Sequence, residues 1–358
     1  MKSITINLLK IVASQFIMFH HFALYGPLAK SFEFVFPELS WFFKGYGLHA
    51  VQIFLVIGGY LASTRLANKV FNFPQFFQIV WRRYKRLFVP YASTIVIVIL
   101  ISAFARQFTS DSIVPEAPTI TQVATHLLFL QGILQQPSLT VGVWYIGIDF
   151  QLYVLIAIFS LMANCLRSRI IFTFFLAAGC FSSILWFRTL NPYWGEFAVW
   201  FLFSYGFGAL ASQRTSVDIE TSSHLINLIA LFLCALLLFG AFITVNDCRF
   251  IAALITGLIL MLLPIIDKQL SHLPCNLKDF IETQGQRSFA LFLMHFPAGL
   301  LVNAAQDYWQ WNSPLASKIC ILFAWAGSMV AAAAFSHVIT PSNKNNGPLY
   351  LFIIYFFK

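Results

Sequence analysis

Long apolar segments, each about as long as a membrane is thick, dominate this chain. A helix needs about 20 mostly apolar residues to cross ~30 Å of hydrocarbon, and ten segments come close to that length. They lie at approximately 4–26, 46–63, 87–105, 141–163, 170–187, 195–212, 225–245, 249–266, 287–305 and 315–339. The sequence therefore predicts an all-α, polytopic membrane protein with about ten transmembrane helices.

Composition supports this prediction and excludes other classes of protein. Hydrophobic residues make up 59% of the chain and charged residues only 10%, whereas soluble domains carry about 25% charged residues. The net charge of +9 comes from Lys and Arg that lie beside apolar segments. The positive-inside rule and attraction to anionic lipid headgroups explain basic residues at such positions, so we exclude nucleic-acid binding. The 6 cysteines lack CxxC spacing and the 8 histidines lack ligand spacing, so we expect neither a metal site nor a disulfide framework.

The basic residues also predict the topology. With the amino terminus inside, most of the 22 Lys and Arg fall on the cytoplasmic side, and both termini are predicted to be cytoplasmic. Segment 65–86 combines basic, aromatic and apolar residues without acidic ones, which predicts a helix lying on the inner leaflet. We predict one membrane domain over 1–340 and a short tail over 341–358 that lies in the membrane interface.

The first apolar segment contains polar residues that are expensive to place in lipid. Lys10 and His21 are separated by three helical turns plus about 20°, and Ser14 lies on the same side. Ionisable groups inside a span usually face other helices or a cavity and mark functional sites. The alternative is that Lys10 snorkels to the inner interface while His20 and His21 sit at the outer one.

Three polar residues on different predicted helices lie at a similar depth. His21, Gln52 and Asp149 each fall in the outer half of the membrane, within roughly 5 Å of one level. A buried carboxylate needs a partner, so we predict that Asp149 orients His21 and supports its basicity. The alternative is a structural buried pair that joins two helices.

His295 falls in the middle of the ninth predicted span. Ser288, seven residues earlier, shares its helical face within about 20°. These two residues are pocket candidates. The alternative is that His295 is a packing residue that hydrogen-bonds a neighbouring helix.

Read in order, five segments resemble the integral membrane acyltransferase 3 family. They are LLKIVASQFIMFHHF, AVQIFLVIGGYL, WRRYKRLFVPY, WYIGIDFQLY and SFALFLMH. Their common order and comparable spacing over most of the chain make the resemblance specific. The chain departs from the family pattern at Lys10, which replaces an Arg, at Gln52, where Asp is frequent, and at Asp149, which replaces a Glu. Lys lacks the bidentate fork with which Arg binds phosphate or carboxylate.

The resemblance implies an O-acyltransferase of the bacterial inner membrane. Such an enzyme moves an acyl group, often acetyl, from acyl-CoA as co-substrate to a hydroxyl of a carbohydrate or another cell-envelope acceptor, without a metal. His21 is implied as general base or transient acyl carrier, with Asp149 as its partner. The implied acyl-CoA-binding residues are Lys10, Arg82, Arg83 and Arg86, and the pocket candidates are Ser14, Gln52, Trp144, Tyr153, Ser288 and His295.

A multi-pass transporter or flippase is the alternative from a different class. Ionisable groups inside spans also suit a path for a substrate or proton. The sequence shows no evident internal repeat and no matched pair of broken helices, whereas its motifs follow the acyltransferase order, which favours the enzyme. The oligomeric state stays open.

Overall fold

The computed structural model describes residues 3–66, 69–189, 197–214 and 221–339. These residues form helices joined by loops and contain no strand, which confirms the all-helical prediction for this part of the chain. The helices are α1 (Ile4–Leu24), α2 (Gly26–Val35), α3 (Pro37–Tyr46), α4 (Val51–Leu66), α5 (Phe73–Ala105), α6 (Ile120–Leu127), α7 (Trp144–Cys165), α8 (Arg169–Thr189), α9 (Leu202–Arg214), α10 (Thr221–Val245), α11 (Cys248–Met261), α12 (Leu263–Leu270), α13 (Cys275–Tyr308) and α14 (Pro314–Ile339). Short 3₁₀ helices at Gly47–Ala50 and Ala198–Phe201 precede α4 and α9.

Among the described residues, six helical segments are long and apolar enough to cross a membrane, and eight if each of two bent helix pairs counts as one span. The bent pairs are α1 with α2 and α11 with α12. The predicted span at 195–212 corresponds to a 3₁₀ turn and the 13-residue α9, which is too short to cross by itself. Ten spans and cytoplasmic termini therefore stay predictions, and the predicted interfacial tail lies outside the described residues.

The first predicted span is interrupted near its carboxyl-terminal end. Helix α1 stops at Leu24, and α2 leaves it at an angle of 100°. Gly26 at the junction has a φ of +68°, a left-handed conformation that glycine adopts without strain. Asn303 of α13 accepts a hydrogen bond from the Leu28 backbone N–H at 2.8 Å, so the bend is held by the neighbouring helix.

Residues 65–86 do not form a helix of their own, whereas their position on the inner leaflet stays a prediction. Residues from Phe73 onward belong to α5, a helix of 33 residues that contains Pro90 in its interior. Asn72 and Gln75 form a reciprocal capping box at its start, which satisfies two backbone donors and fixes where the helix begins. Arg82, Arg83, Lys85 and Arg86 therefore project from one long helix that packs against α7 and α13, whereas Arg65 ends α4.

Helices α1, α4, α7, α9 and α13 form the interior that positions the polar residues. Helix α4 approaches α9 so closely that β-carbons at Gly59 and Gly208 would overlap the backbone carbonyls of Tyr205 and Val56. Such small residues let membrane helices approach backbone to backbone. Asp267 of α12 accepts hydrogen bonds from the Thr5 backbone N–H at 2.9 Å and hydroxyl at 2.7 Å, which anchors the start of α1.

Candidate functional site

The central feature of the interior is a pair of histidines from α1 and α13. Nδ1 of His21 lies 2.6 Å from Nε2 of His295, and the two rings stack at 4.9 Å with an angle of 14° between them. Both side chains are buried. The contact exists because α13 packs directly along α1, and it brings together two of the residues that the sequence singled out.

The hydrogen bonds of this pair define the proton positions of its neutral form. Nδ1 of His295 lies 3.1 Å from the Leu291 carbonyl oxygen, which can only accept, so we assign the His295 proton to Nδ1. Nε2 of His295 is then an acceptor, and Nδ1 of His21 must donate to it. This assignment leaves the lone pair of His21 on Nε2, where it can take a proton or attack an electrophile.

Both rings border a small cavity. Tyr25, Phe296 and Asn303 are among its other lining residues. The backbone that leads into α7 also reaches this site, because a β-carbon on Gly142 would lie 3.9 Å from Cε1 of His21. Gly142 has a φ of +88°, so a larger residue would be strained, and its β-carbon would lie only 3.3 Å from Cζ of Phe292.

Asp149 does not contact His21, so the predicted Asp149–His21 pair is wrong. Its Oδ2 instead accepts a hydrogen bond from Nη2 of Arg83 at 2.5 Å. Gly58 of α4 leaves room for this carboxylate, since a β-carbon there would lie 3.0 Å from Oδ1 of Asp149. Similar depth did not imply contact, because the strongly basic Arg83 is a better partner for a buried carboxylate than a neutral imidazole.

Asp149 and Arg83 belong to a larger polar region. The Arg83 guanidinium lies 5.0 Å from the ring centre of Tyr153, which is a cation–π contact. Tyr145 and Tyr205 lie within electrostatic range of Asp149. Arg83 Nε and the Tyr205 hydroxyl are buried without a hydrogen-bond partner among the described residues.

Three further basic side chains converge near Arg83. Lys10 lies within electrostatic range of Arg65 and Arg86, and Arg86 within range of Arg83. We call Lys10, Arg65, Arg83 and Arg86 the basic cluster. Sequence reasoning named Arg65 only as the first residue of the basic segment 65–86 and did not place it at the site. Arg82 on α5 is exposed, as are Arg65 and Arg86. The simple snorkelling alternative for Lys10 does not account for this convergence of three helices.

The remaining pocket candidates have separate partners. Ser14 and Ser288 donate to carbonyls of their own helices, those of Ile11 and Gly285. Gln52 accepts a 2.6 Å hydrogen bond from Ser204 and thereby joins α4 to α9. Trp144 lines a second cavity, which shares no lining residue with the His21 cavity. The predicted meeting of His21, Gln52 and Asp149 is therefore wrong.

The described residues contain no group of three or more His, Cys, Asp or Glu side chains placed to hold a metal ion. The arrangement that remains is a buried imidazole with a free nitrogen beside a cavity, and a separate cluster of cations. The first can deprotonate a hydroxyl or carry an acyl group. The second can bind anionic groups such as phosphates.

Comparisons with known proteins assign the chain to a family. No curated protein and no solved structure matches it. The sequence profile of the acyltransferase 3 family, described as an acyltransferase domain, matches residues 4–357. Because this match spans nearly the whole chain, the protein belongs to the acyltransferase 3 family and is an integral, multi-pass membrane enzyme of the O-acyltransferase type.

Proposed function

We propose that the protein transfers an acyl group, acetyl in the simplest case, from acyl-CoA to a hydroxyl of a cell-envelope acceptor, with His21 as general base. The observation that carries this proposal is the His21–His295 hydrogen bond beside a cavity. It makes Nε2 of His21 a proton acceptor in a buried site. The bacterial inner membrane is the location that this chemistry and the family suggest.

The reaction consists of one acyl transfer from sulfur to oxygen, with one proton transfer to His21 and one proton transfer from it. Nε2 of His21 takes the proton of the acceptor hydroxyl while its oxygen attacks the thioester carbonyl. A carbon–oxygen bond forms, the carbon–sulfur bond breaks, and the coenzyme leaves as a thiolate. The His21 imidazolium then returns its proton to that thiolate.

His295 fills the role that we first assigned to Asp149. Its Nε2 accepts the Nδ1 proton of His21, which holds the ring in one orientation and one tautomer. When His21 is protonated, the same hydrogen bond becomes charge-assisted and stronger. His295 is therefore a positioning residue, and this arrangement favours the base over the acyl carrier because it stabilises the protonated ring.

The basic cluster supports acyl-CoA as the donor. Among the residues described around it, the single carboxylate of Asp149 offsets only one of its four positive charges, so the cluster has capacity for an anionic ligand. Lys10 and His21 are on one helix, about 16 Å apart along its axis. Phosphates bound near Lys10 and a thioester near His21 would thus occupy the two ends of α1.

The test uses membranes that contain the protein and acetyl-CoA labelled in the acetyl group. Two products are measured: free coenzyme thiol and label in alkali-labile esters. We expect His21→Ala to abolish both. His20→Ala is the matched control and should retain most activity, because Nδ1 of His20 is bonded to the Phe43 carbonyl at 2.7 Å and His20 does not line the cavity. Full activity of His21→Ala, or equal loss in both variants, would refute the assignment.

A further inference from the structure

Tyr25 lies where the chain leaves α1 and borders the same cavity as the two histidines. Its ring centre is 5.6 Å from that of His21, with an angle of 49° between the two planes. The side chain is half-buried. The ring nitrogens of His21 and His295 that are bonded have other partners, so the proton transfers derived above leave this tyrosine without a role.

The other polar side chains that line this cavity already have partners. His295 is bonded through both of its ring nitrogens. Asn303 accepts from the Leu28 backbone N–H and donates to the Gly299 carbonyl at 3.0 Å, so its amide is held in place at the bend. The Tyr25 hydroxyl, by contrast, makes no hydrogen bond to any described residue. It can therefore turn its proton toward a ligand in the cavity.

The proposed reaction needs such a donor beside its general base. When the acceptor oxygen attacks the thioester carbonyl, a carbon–oxygen bond forms and one electron pair of the carbonyl double bond moves onto its oxygen. This oxyanion then re-forms the double bond, and the carbon–sulfur bond breaks with its electrons on sulfur. A fixed donor about 2.7–3.1 Å from the oxyanion stabilises it, and loss of one such donor typically lowers kcat by about 10²–10³.

We infer that the Tyr25 hydroxyl donates a hydrogen bond to the carbonyl oxygen of the acyl group and stabilises the oxyanion. The cavity is small, so a carbonyl within reach of His21 also lies beside Tyr25. The hydroxyl keeps its proton throughout, because the acceptor proton passes to His21 and from there to the thiolate. This inference rests on the proposed function, since it assigns a second catalytic residue to the same site.

The first test measures acetyl transfer by Tyr25→Phe in membranes that contain the full chain. Phe keeps the ring beside His21 and removes only a hydroxyl without a protein partner, so the fold loses no hydrogen bond. We expect kcat to fall about 10²-fold at nearly unchanged KM, because the lost bond is stronger in the transition state than in the bound donor. Tyr308→Phe is the matched control and should keep its kcat, since Tyr308 is exposed and does not line the cavity.

The second test measures binding without turnover. Its probes are two analogues of acetyl-CoA in which a methylene group replaces the sulfur, one a methyl ketone and the other a trifluoromethyl ketone. The trifluoromethyl ketone adds water to give a tetrahedral, readily ionised hydrate that imitates the intermediate, whereas the methyl ketone imitates the bound donor. We expect Tyr25→Phe to weaken binding of the trifluoromethyl ketone about 10²-fold and to leave that of the methyl ketone nearly unchanged.

Three results would overturn the inference. The first is wild-type kcat in Tyr25→Phe. The second is an equal loss of affinity for both ketones, which would show that the hydroxyl shapes the site without a preference for the oxyanion. The third is a wild-type protein that binds the trifluoromethyl ketone no more tightly than the methyl ketone.

The histidine variant separates this inference from the proposed function. Normal transfer by Tyr25→Phe together with loss of transfer in His21→Ala would refute only the oxyanion donor. Normal transfer by His21→Ala would refute the general base. If Tyr25→Phe then still weakened the trifluoromethyl ketone selectively, the tyrosine would stand as the oxyanion donor of a reaction with a different base.

Discussion

Replacement of Asp149 by Asn tests whether this carboxylate serves Arg83 or His21. The substitution keeps the shape of the side chain and removes its charge. In the structure the carboxylate holds Arg83 at 2.5 Å, and His21 has a different partner. We therefore expect a loss of stability that depends on Arg83, rather than a specific loss of the proton-transfer step.

The expected loss follows from the burial of the ion pair. The Asp149 side chain is 6% exposed and that of Arg83 19%, so neither charge is well solvated. Removal of one partner of a buried pair typically destabilises by about 3–5 kcal/mol. Asn keeps an oxygen that can accept from Arg83, so the lower end, about 3 kcal/mol, applies. That is about a 10²-fold increase in the unfolded fraction.

Buried cysteines provide the assay. Cys180, Cys234 and Cys320 are free and buried, so their reaction with a thiol-reactive fluorophore reports unfolding in mixed micelles. The exposed Cys165 and Cys275 give a constant baseline. The double variant Asp149→Leu with Arg83→Met replaces the pair by apolar groups and should recover most of the stability, because no charge is left unpaired.

Three results would refute this reasoning. Wild-type stability of Asp149→Asn would show that the ion pair is unimportant. Additive losses in the double variant would show that the two residues act separately. A selective fall in kcat at normal stability, with no added effect of His21→Ala, would restore Asp149 as the partner of His21.

Four other outcomes are expected. His295→Leu should lower kcat about 10²-fold at unchanged KM, whereas His295→Gln, whose amide oxygen can accept the His21 proton, should retain more activity. Lys10→Met should raise the KM for acetyl-CoA about tenfold, whereas Lys10→Arg should not raise it. An unchanged KM in the Met variant would show that Lys10 does not bind the acyl donor. Gly59→Ala should lower stability by more than about 1 kcal/mol in unfolding experiments, since its β-carbon would meet the Tyr205 carbonyl, whereas Gly240, with open space around it, tolerates Ala. Burial lowers the pKa of His126, and its hydrogen bond to the Gln122 carbonyl partly offsets this effect. The stabilising effect of neutral His126 is therefore present above about pH 6.5 and is lost as the pH falls. Proteolysis of the region between α5 and α7 should increase at low pH in the wild type but less in His126→Gln.

The sequence predicted the helical membrane class because apolar length is a local property. Runs of about 20 apolar residues need no knowledge of tertiary contacts. The bend after α1 depended instead on the left-handed Gly26 and on Asn303, which is remote in sequence. The long α5 was misread because its basic first half resembles a surface helix, although Asn72 and Gln75 give a cap at its true start.

Individual site residues were easier to find than their partners. His21, Asp149 and His295 all stand out as ionisable groups within apolar segments. Depth along separate helices cannot define which helices are neighbours, so it paired Asp149 with the wrong residue. The His21–His295 contact required the packing of α13 against α1, which the sequence does not give.

The bend after Leu24 also has an electrostatic effect on catalysis. His21 occupies the last turn of α1, and its carbonyl accepts from the Tyr25 backbone N–H at 3.1 Å where the helix ends. The aligned peptide dipoles amount to roughly half a negative charge at such a terminus and stabilise a cation there by about 0.3–2 kcal/mol. A first helix that continued straight would move this negative end away from His21. Because α1 ends within one turn of His21, the helix backbone stabilises the protonated form of this residue. Among the described residues, no side-chain carboxylate contacts His21 to do so.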